Sequence, residues 1–181
     1  MSITPEVLPE HDRFDVAVRC YQGALLRYVR TTLHEEDAQD VVQEVFLKLH
    51  KTMRRGGLRD ESRLGAWLFR VAHTCTADVL RRKRIDGKAL DVLGGEALQE
   101  GGTAESGGLD EAVRNEDCRL ALTLLNKLPP RERQVLLLKV EDGMTYREIG
   151  EVTNLALGTV AYLINQGLQR LARDLKAAGA I

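Results

Sequence analysis

Cysteine is scarce in this sequence, and neither its cysteines nor its histidines are spaced as metal ligands. The three cysteines, Cys20, Cys75 and Cys118, are odd in number and far apart within helical patterns. This spacing argues against a disulfide framework and against a paired metal motif, so we expect buried packing thiols. The four histidines, at positions 11, 34, 50 and 73, show no ligand spacing either. The sequence therefore predicts no metal site and no cofactor.

Long hydrophobic runs are also absent. No apolar stretch approaches the length needed to span a membrane, and Met1 to Pro9 contains no basic region followed by an apolar stretch. We therefore expect no membrane insertion, and the expected location is the cytoplasm.

The sequence has no motif typical of an enzyme. It contains no phosphate-cradling glycine loop, no nucleophile elbow and no ligand cluster, and its glycine pairs have no flanking strands. We expect no catalytic residue, so any chemistry must be supplied by a partner.

The charge is close to balanced overall but not along the chain. The net charge is -1. Between Lys51 and Arg84 there are ten basic residues and three acids, whereas Asp91 to Asp117 holds eight acids and only Arg114 as a base. A basic segment of this kind is typical of a nucleic-acid surface, although a solvated helix end would also explain its last four residues.

The hydrophobic pattern predicts an all-α protein with two small helical domains. Residues 12–85 contain three amphipathic segments, of which the third is expected to begin at an N-cap Ser62 and to run to Arg84. Residues 86–109 are glycine-rich and acidic, which predicts a flexible linker. Residues 110–178 contain four further helical segments, and the last is expected to bury Val160, Ile164, Leu168, Leu171 and Leu175.

The second domain is punctuated by strong boundary signals. Pro129-Pro130 separates two helices, and Thr145 with Glu148 forms a capping-box pattern. A tight turn at 154–156 before the last helix is typical of a helix-turn-helix, which places its second helix in the major groove of DNA. Structural helix pairs with such turns are also common.

The helix predicted over residues 37–51 has one apolar face and one polar face. Its polar face collects Glu36, Asp40, Gln43, Glu44 and Lys51 around a single leucine, Leu47. An isolated exposed leucine is ordinary on a solvated helix. The alternative is that this face docks on a partner.

Two stretches resemble a known family. DAQDVVQEVFLKLHK followed by AWLFRVA resembles region 2 of bacterial sigma-70 factors of the extracytoplasmic-function (ECF) type, and LPPRERQVLLLKVEDGMTYREIGEV with GTVAYLI resembles their region 4. The resemblance covers Phe14 to Arg84 and Leu124 to Leu175. It implies a transcription initiation factor that binds core RNA polymerase, through the beta-prime clamp helices and the beta subunit, and directs it to promoter DNA.

The resemblance also assigns roles to individual residues. The polymerase contact would fall on Asp40, Gln43, Glu44 and Leu47. Readout of the melted minus-10 element would fall on Thr52, Arg70, His73, Thr74, Arg81 and Arg84, with a base pocket formed by residues 52–64. Thr74 stands where relatives commonly have asparagine. In the family the linker threads the polymerase channel, where its negative charge can imitate nucleic acid.

The minus-35 element would be read by the last two helices, through Arg147, Thr159, Tyr162, Gln166, Gln169 and Arg173. Gln166 or Gln169 could read adenine edges, and Arg147 could hold a phosphate. This sequence departs from the family where relatives usually carry lysine or arginine, at Ala161, Leu163, Gln166 and Leu168. Because phosphate neutralisation dominates nucleic-acid affinity, so neutral a helix predicts weak and less salt-sensitive binding by this domain alone.

Two rival functions remain at this stage. A stand-alone helix-turn-helix regulator is possible because LPPRERQVLLL with GTV also resembles response-regulator output domains, but no strand pattern precedes residue 85. A sigma-like protein that sequesters a partner without promoter recognition would explain the neutral helix. The resemblance further implies control by an anti-sigma factor.

Overall fold

A computed structural model describes residues 10–85 and 116–179, and within these ranges every regular element is helical. A single 3-10 turn, Glu61–Arg63, precedes the third helix. The helices are α1 (Glu10–Val29), α2 (Glu35–Met53), α3 (Leu64–Ile85), α4 (Glu116–Asn126), α5 (Pro130–Glu141), α6 (Tyr146–Thr153) and α7 (Leu157–Ala177). The expected all-α class is confirmed. None of these helices is both long and apolar enough to cross a membrane.

The first three helices pack around a core that contains several aromatic rings. Tyr28 of α1 meets Phe69 of α3 edge to face, with ring centroids 5.4 Å apart, and Phe14 meets Phe46 of α2 at 6.4 Å. Such edge-to-face pairs add to the energy of area burial. The apolar stripe of α2 is buried along its length, as its helical spacing predicts.

The boundaries of the last three helices are determined by residues at their termini. Pro130 opens α5 where its missing N–H costs nothing, and Asn154 ends α6 in the left-handed conformation (φ 56°). A Cβ at Gly150 would lie 2.8 Å from the carbonyl oxygen of Leu155, so the tight turn before α7 requires glycine there. The predicted helix-turn-helix geometry is therefore present over α6 and α7.

The capping box at the start of α6 gives a stability prediction. The Thr145 hydroxyl accepts from the Glu148 N–H at 3.3 Å, and the Glu148 carboxylate accepts from the Thr145 N–H at 2.8 Å. We expect Thr145→Ala to lower the free energy of unfolding by about 1 kcal/mol, because the first turn loses its acceptor. Thr145→Ser should retain nearly all of it. Urea unfolding measures both, and equal losses in the two variants would contradict the prediction.

The same box has a defined pH dependence. The hydrogen bonds from the backbone and side chain of Thr145 hold the pKa of the Glu148 carboxyl below its usual value. The stability they confer is therefore present at neutral pH and is lost as the pH falls through that lowered pKa.

The two halves of the chain share one hydrophobic core and lie directly against each other. Buried residues of α1, α2 and α3 are continuous with those of α5, α6 and α7. Arg133 of α5 is 5% exposed, and its guanidinium donates to the carbonyl oxygen of Thr31 at 3.2 Å, in the turn between α1 and α2. The predicted linker, residues 86–109, and the predicted start of the fourth helix at 110–115 lie outside the described residues.

Three local predictions were wrong. Ser62 is not the N-cap of α3, because Asp60 caps the 3-10 turn by accepting from the Ser62 N–H, and α3 begins at Leu64. Leu168 is 52% exposed rather than buried, because Gly167 is the residue that packs on Leu136. Cys20 is exposed rather than buried, although Cys75 is buried as expected.

Candidate functional surfaces

The outer face of α2 is an acidic surface with an apolar centre. Asp40, Gln43 and Glu44 are exposed, and Leu47 among them is 48% exposed. Glu44 lies 3.6 Å from Lys48, a weak surface pair one turn along. The helix is held in place from its buried side, so these side chains form a preformed surface on a rigid element. We call this set of four residues the α2 face.

The outer face of α3 carries most of the predicted basic stripe. Its exposed members are Arg70, Thr74, Arg81 and Arg84. Arg81 lies 3.0 Å from Asp78 on the same helix. The end of α3 is fixed by an ion pair between Lys83 and Asp37 at the start of α2. The stripe is therefore a positioned positive surface rather than a frayed helix end.

His73 does not belong to that exposed stripe, contrary to the prediction. Its Nδ1 lies 2.9 Å from the Tyr28 hydroxyl, and burial lowers the pKa of the imidazole. The ring lies against Tyr28 of α1, with ring centroids 6.4 Å apart, next to the buried Phe69 and Ala72. His73 is therefore half-buried beside Tyr28, and its contact with DNA stays a prediction.

A cleft of about 200 Å³ lies between the loop before α3 and helix α6. Arg59, Arg63, Trp67 and Arg70 line one side. Thr52 is not among its lining residues, since its hydroxyl donates to the carbonyl oxygen of Lys48 at 2.9 Å. The cleft includes Leu58, Arg59, Asp60 and Arg63 of the segment 52–64, and its use as a base pocket stays a prediction.

The other wall of the cleft belongs to α6, whose lining residues are Glu148, Glu151 and Val152. Arg63 lies 2.9 Å from the Glu151 carboxylate, and the Arg70 guanidinium donates to the Glu151 carbonyl oxygen at 3.3 Å. The cleft is thus positively charged on one side and covered by acids on the other.

The outer face of α7 is open and nearly neutral. Thr159, Tyr162 and Gln169 are exposed, Gln166 is half-buried, and Arg173 is exposed beside Asp174 at 3.4 Å. Arg147, near the start of α6, is also exposed. The six predicted residues therefore flank one helix-turn-helix surface. Two large hydrophobic side chains, Tyr162 and Leu168, are also exposed on α7.

The polar contacts between the two halves were missed in the sequence. The Asp142 carboxylate, at the end of α5, accepts from the Tyr21 hydroxyl of α1 and lies over Gly65 of α3. Burial raises the pKa of Asp142, and it raises the pKa of Tyr21 to about 12. Arg27 donates to the Glu141 carboxylate at 2.5 and 2.9 Å. Single polar residues next to a helix end have no periodic signature, so no sequence signal pointed to them.

Two family profiles match the chain. The one described as "Sigma-70 region 2" matches residues 17–85, and the one described as "Sigma-70, region 4" matches residues 118–171. The first contains the α2 face and the α3 stripe. The second contains the helix-turn-helix.

Named relatives match over most of their length. An ECF RNA polymerase sigma factor, SigW of Bacillus subtilis (strain 168), is 29% identical over 92% of this chain and 91% of its own. The ECF RNA polymerase sigma-E factor of Escherichia coli (strain K12) is 26% identical over 81% and 78%. CnrH, solved in complex with the cytosolic domain of CnrY, has the same fold, with a TM-score of 0.54, 23% identity, and coverage of 96% and 92%.

Proposed function

The chain belongs to the sigma-70 family of RNA polymerase sigma factors, in its ECF group, as a promoter-directing transcription initiation factor, and we propose how its surfaces divide that task. The α2 face binds core polymerase, the α3 stripe with its cleft binds the melted minus-10 element, and the outer face of α7 binds the minus-35 element. Members of this family are initiation factors rather than enzymes. We therefore assign RNA synthesis to the polymerase.

The observation that carries the polymerase contact is the exposed Leu47 within acidic and amide side chains. A half-exposed leucine on a fixed helix supplies an apolar anchor, and the polar rim around it supplies orientation. Asp40 and Glu44 favour a partner surface of positive charge.

The α3 stripe suits a single strand better than a duplex base edge. Arg70, Arg81 and Arg84 can follow a phosphate backbone, while the adjacent cleft with Trp67 provides an aromatic surface for an unpaired base. Extracting that base costs a few kcal/mol, and promoter steps that melt easily reduce this cost.

The α7 face binds promoter DNA weakly by itself. Tyr162, Gln166 and Gln169 offer base contacts, but only Arg147 and Arg173 among the predicted residues can neutralise phosphates. The C-terminal half therefore positions a complex whose affinity comes mainly from polymerase and from the α3 stripe.

We place the factor in the cytoplasm, where its polymerase and promoters are, and we propose that an anti-sigma factor controls it. The relevant support is family membership, together with the complex in which CnrH was solved.

Assembly with purified core polymerase in the absence of DNA tests the first step. We expect the chain to co-migrate with core polymerase through size-exclusion chromatography and to be displaced by an excess of another sigma factor. Absence of co-migration would contradict the assignment of the α2 face and would favour the stand-alone regulator.

One observation, the neutral outer face of α7, supports the alternative in which the protein sequesters a partner without recognising a promoter. A chain that binds core polymerase but yields no transcript on any promoter would support this alternative.

A further inference from the structure

A lysine of α2 and a cysteine of α3 meet side chain to side chain. The Lys48 ammonium donates to the Cys75 sulfur at 3.2 Å, where the two helices pack against each other. Cys75 is 6% exposed, whereas the Lys48 side chain is 41% exposed and reaches the sulfur from the surface. An amine that solvent can reach therefore lies directly over a buried free thiol.

The Lys48 ammonium interacts more strongly with the sulfur than with its acidic neighbour. The Glu44 carboxylate lies 3.6 Å away, one turn earlier on α2, and both side chains of this pair are largely exposed. The hydrogen bond to Cys75 is the main reason that the pKa of the Lys48 ammonium is raised, and Glu44 adds less. The contact with sulfur thus determines where the amine sits.

A thiol beside an amine can be oxidised to a covalent link. The thiolate is the reactive form of cysteine, and a neighbouring cation favours it. Attack of the Cys75 thiolate on one oxygen of hydrogen peroxide breaks the O–O bond and gives a sulfenic acid. The departing hydroxide takes a proton from the Lys48 ammonium and becomes water, which leaves a neutral amine next to the oxidised sulfur.

The second step joins the two side chains. The nitrogen lone pair of Lys48 attacks the sulfur, an S–N bond forms, and the sulfenic hydroxyl leaves as water with one amine proton. Over both steps the sulfur loses two electrons and hydrogen peroxide gains them, so no further oxidant is needed. Sulfenic acids condense with protein nitrogen in this manner.

We propose that Lys48 and Cys75 form an oxidation site at which hydrogen peroxide produces a sulfenamide bond between α2 and α3. The Lys48 stem is flexible and its Nζ already contacts the sulfur, so only local movement is needed to close the bond. The bond itself does not depend on which surface binds polymerase or DNA.

The bond has a consequence for the α2 face. It removes the positive charge of Lys48, and with it the ion pair to Glu44, one of the four residues of that face. It also ties the helix that carries the α2 face to the helix that carries the α3 stripe. Hydrogen peroxide would therefore act on the polymerase contact, a consequence that rests on the proposed function.

Peptide mapping of the full-length chain after treatment with hydrogen peroxide tests the bond. The remaining thiols are blocked with iodoacetamide, and the chain is digested with trypsin, which does not cleave after a modified lysine. We expect peptide 31–51 joined to peptide 71–81, at the sum of their masses less two hydrogen atoms. Dithiothreitol added before digestion should separate the two peptides.

Lys48→Arg separates the chemistry of the amine from its charge. Arginine keeps the positive charge and can still donate to the sulfur, but its guanidinium stays protonated and is no nucleophile. We expect complete loss of the linked peptide, with Cys75 oxidised to the sulfinic acid instead. Circular dichroism checks that this variant folds like the wild type.

Lys51→Arg is the matched control. Lys51 is exposed on the same helix, three residues after Lys48. The same chemical change at this position should leave the yield of the linked peptide unchanged, because Lys51 is not the residue that contacts the sulfur.

Wild-type Cys75 that stays reduced, or that is oxidised without becoming linked to Lys48, would overturn the proposal. A disulfide from Cys75 to Cys20 or Cys118 in place of the link would overturn it as well. The proposed function has a separate readout, since peptide mapping involves neither polymerase nor promoter DNA. Failure of the link would leave promoter-directed transcription by the wild-type chain unaffected, and loss of that transcription would leave the link intact.

Discussion

Asp40→Arg is expected to reduce promoter-specific transcription by core polymerase strongly while leaving the fold intact. The side chain is exposed on a helix whose opposite face is fully packed, so the substitution does not reach the core. A reversed charge beside the Leu47 anchor should cost about 2 kcal/mol or more in polymerase affinity, which is about thirtyfold. Competition with another sigma factor for core polymerase measures the loss.

Arg19→Asp is the control for that variant. Arg19 is exposed on α1, outside the proposed contact, and its substitution makes a charge reversal of equal size. Its polymerase affinity should equal that of the wild type. Equal losses in both variants would show that reversing any exposed charge impairs polymerase binding, and they would contradict the α2 assignment.

Combined Arg81→Glu and Arg84→Glu is expected to have the second large effect, on promoter opening rather than on polymerase binding. Both residues are exposed on the stripe, and each is proposed to contact a phosphate. Their loss should reduce the slope of log affinity against log salt by about 1.4 in single-strand binding, at about 0.7 for each phosphate contact. Run-off transcription should fall at least about tenfold, because two attractive phosphate contacts become repulsive.

Arg82 provides a control within the same helix. It is exposed but lies about 100° around α3 from Arg81. Arg82→Glu should therefore reduce transcription far less than Arg81→Glu, although the net charge of the two variants is identical. Equal effects would indicate that the segment acts only through its total charge.

Local patterns predicted the α2 face well, because it depends on helical periodicity alone. The buried stripe of α2 contains the residues that its spacing indicates, which leaves Asp40 and Leu47 outside. The capping box at Thr145 and the turn at Asn154 were equally accessible, since each depends on residues a few positions apart.

Errors arose where packing partners decided the orientation. His73 lies on a position that periodicity alone assigns to the exposed face, but its ring is half-buried and its Nδ1 lies 2.9 Å from the Tyr28 hydroxyl. Leu168 is predicted to be buried, but Gly167 is the residue that faces the core, because a helix can approach Leu136 more closely through a glycine than through a leucine. Neither choice can be read from spacing.

The contact between the two halves could not be predicted from the sequence for a different reason. It joins residues far apart in the chain, Gly65 with Asp142 and Arg27 with Glu141, and a polar contact leaves no periodic pattern. Two domains were predicted, but nothing in either one indicated that they would share a core.

Run-off transcription with purified core polymerase on fragmented genomic DNA from the source bacterium tests the central claim most directly. We predict new start sites that depend on the chain and that share minus-10 and minus-35 elements when aligned. Transcripts from these start sites should fall at least about tenfold with Asp40→Arg and with the combined Arg81→Glu and Arg84→Glu variant. Core polymerase that binds the chain yet produces no chain-dependent transcript at any salt concentration would contradict the account.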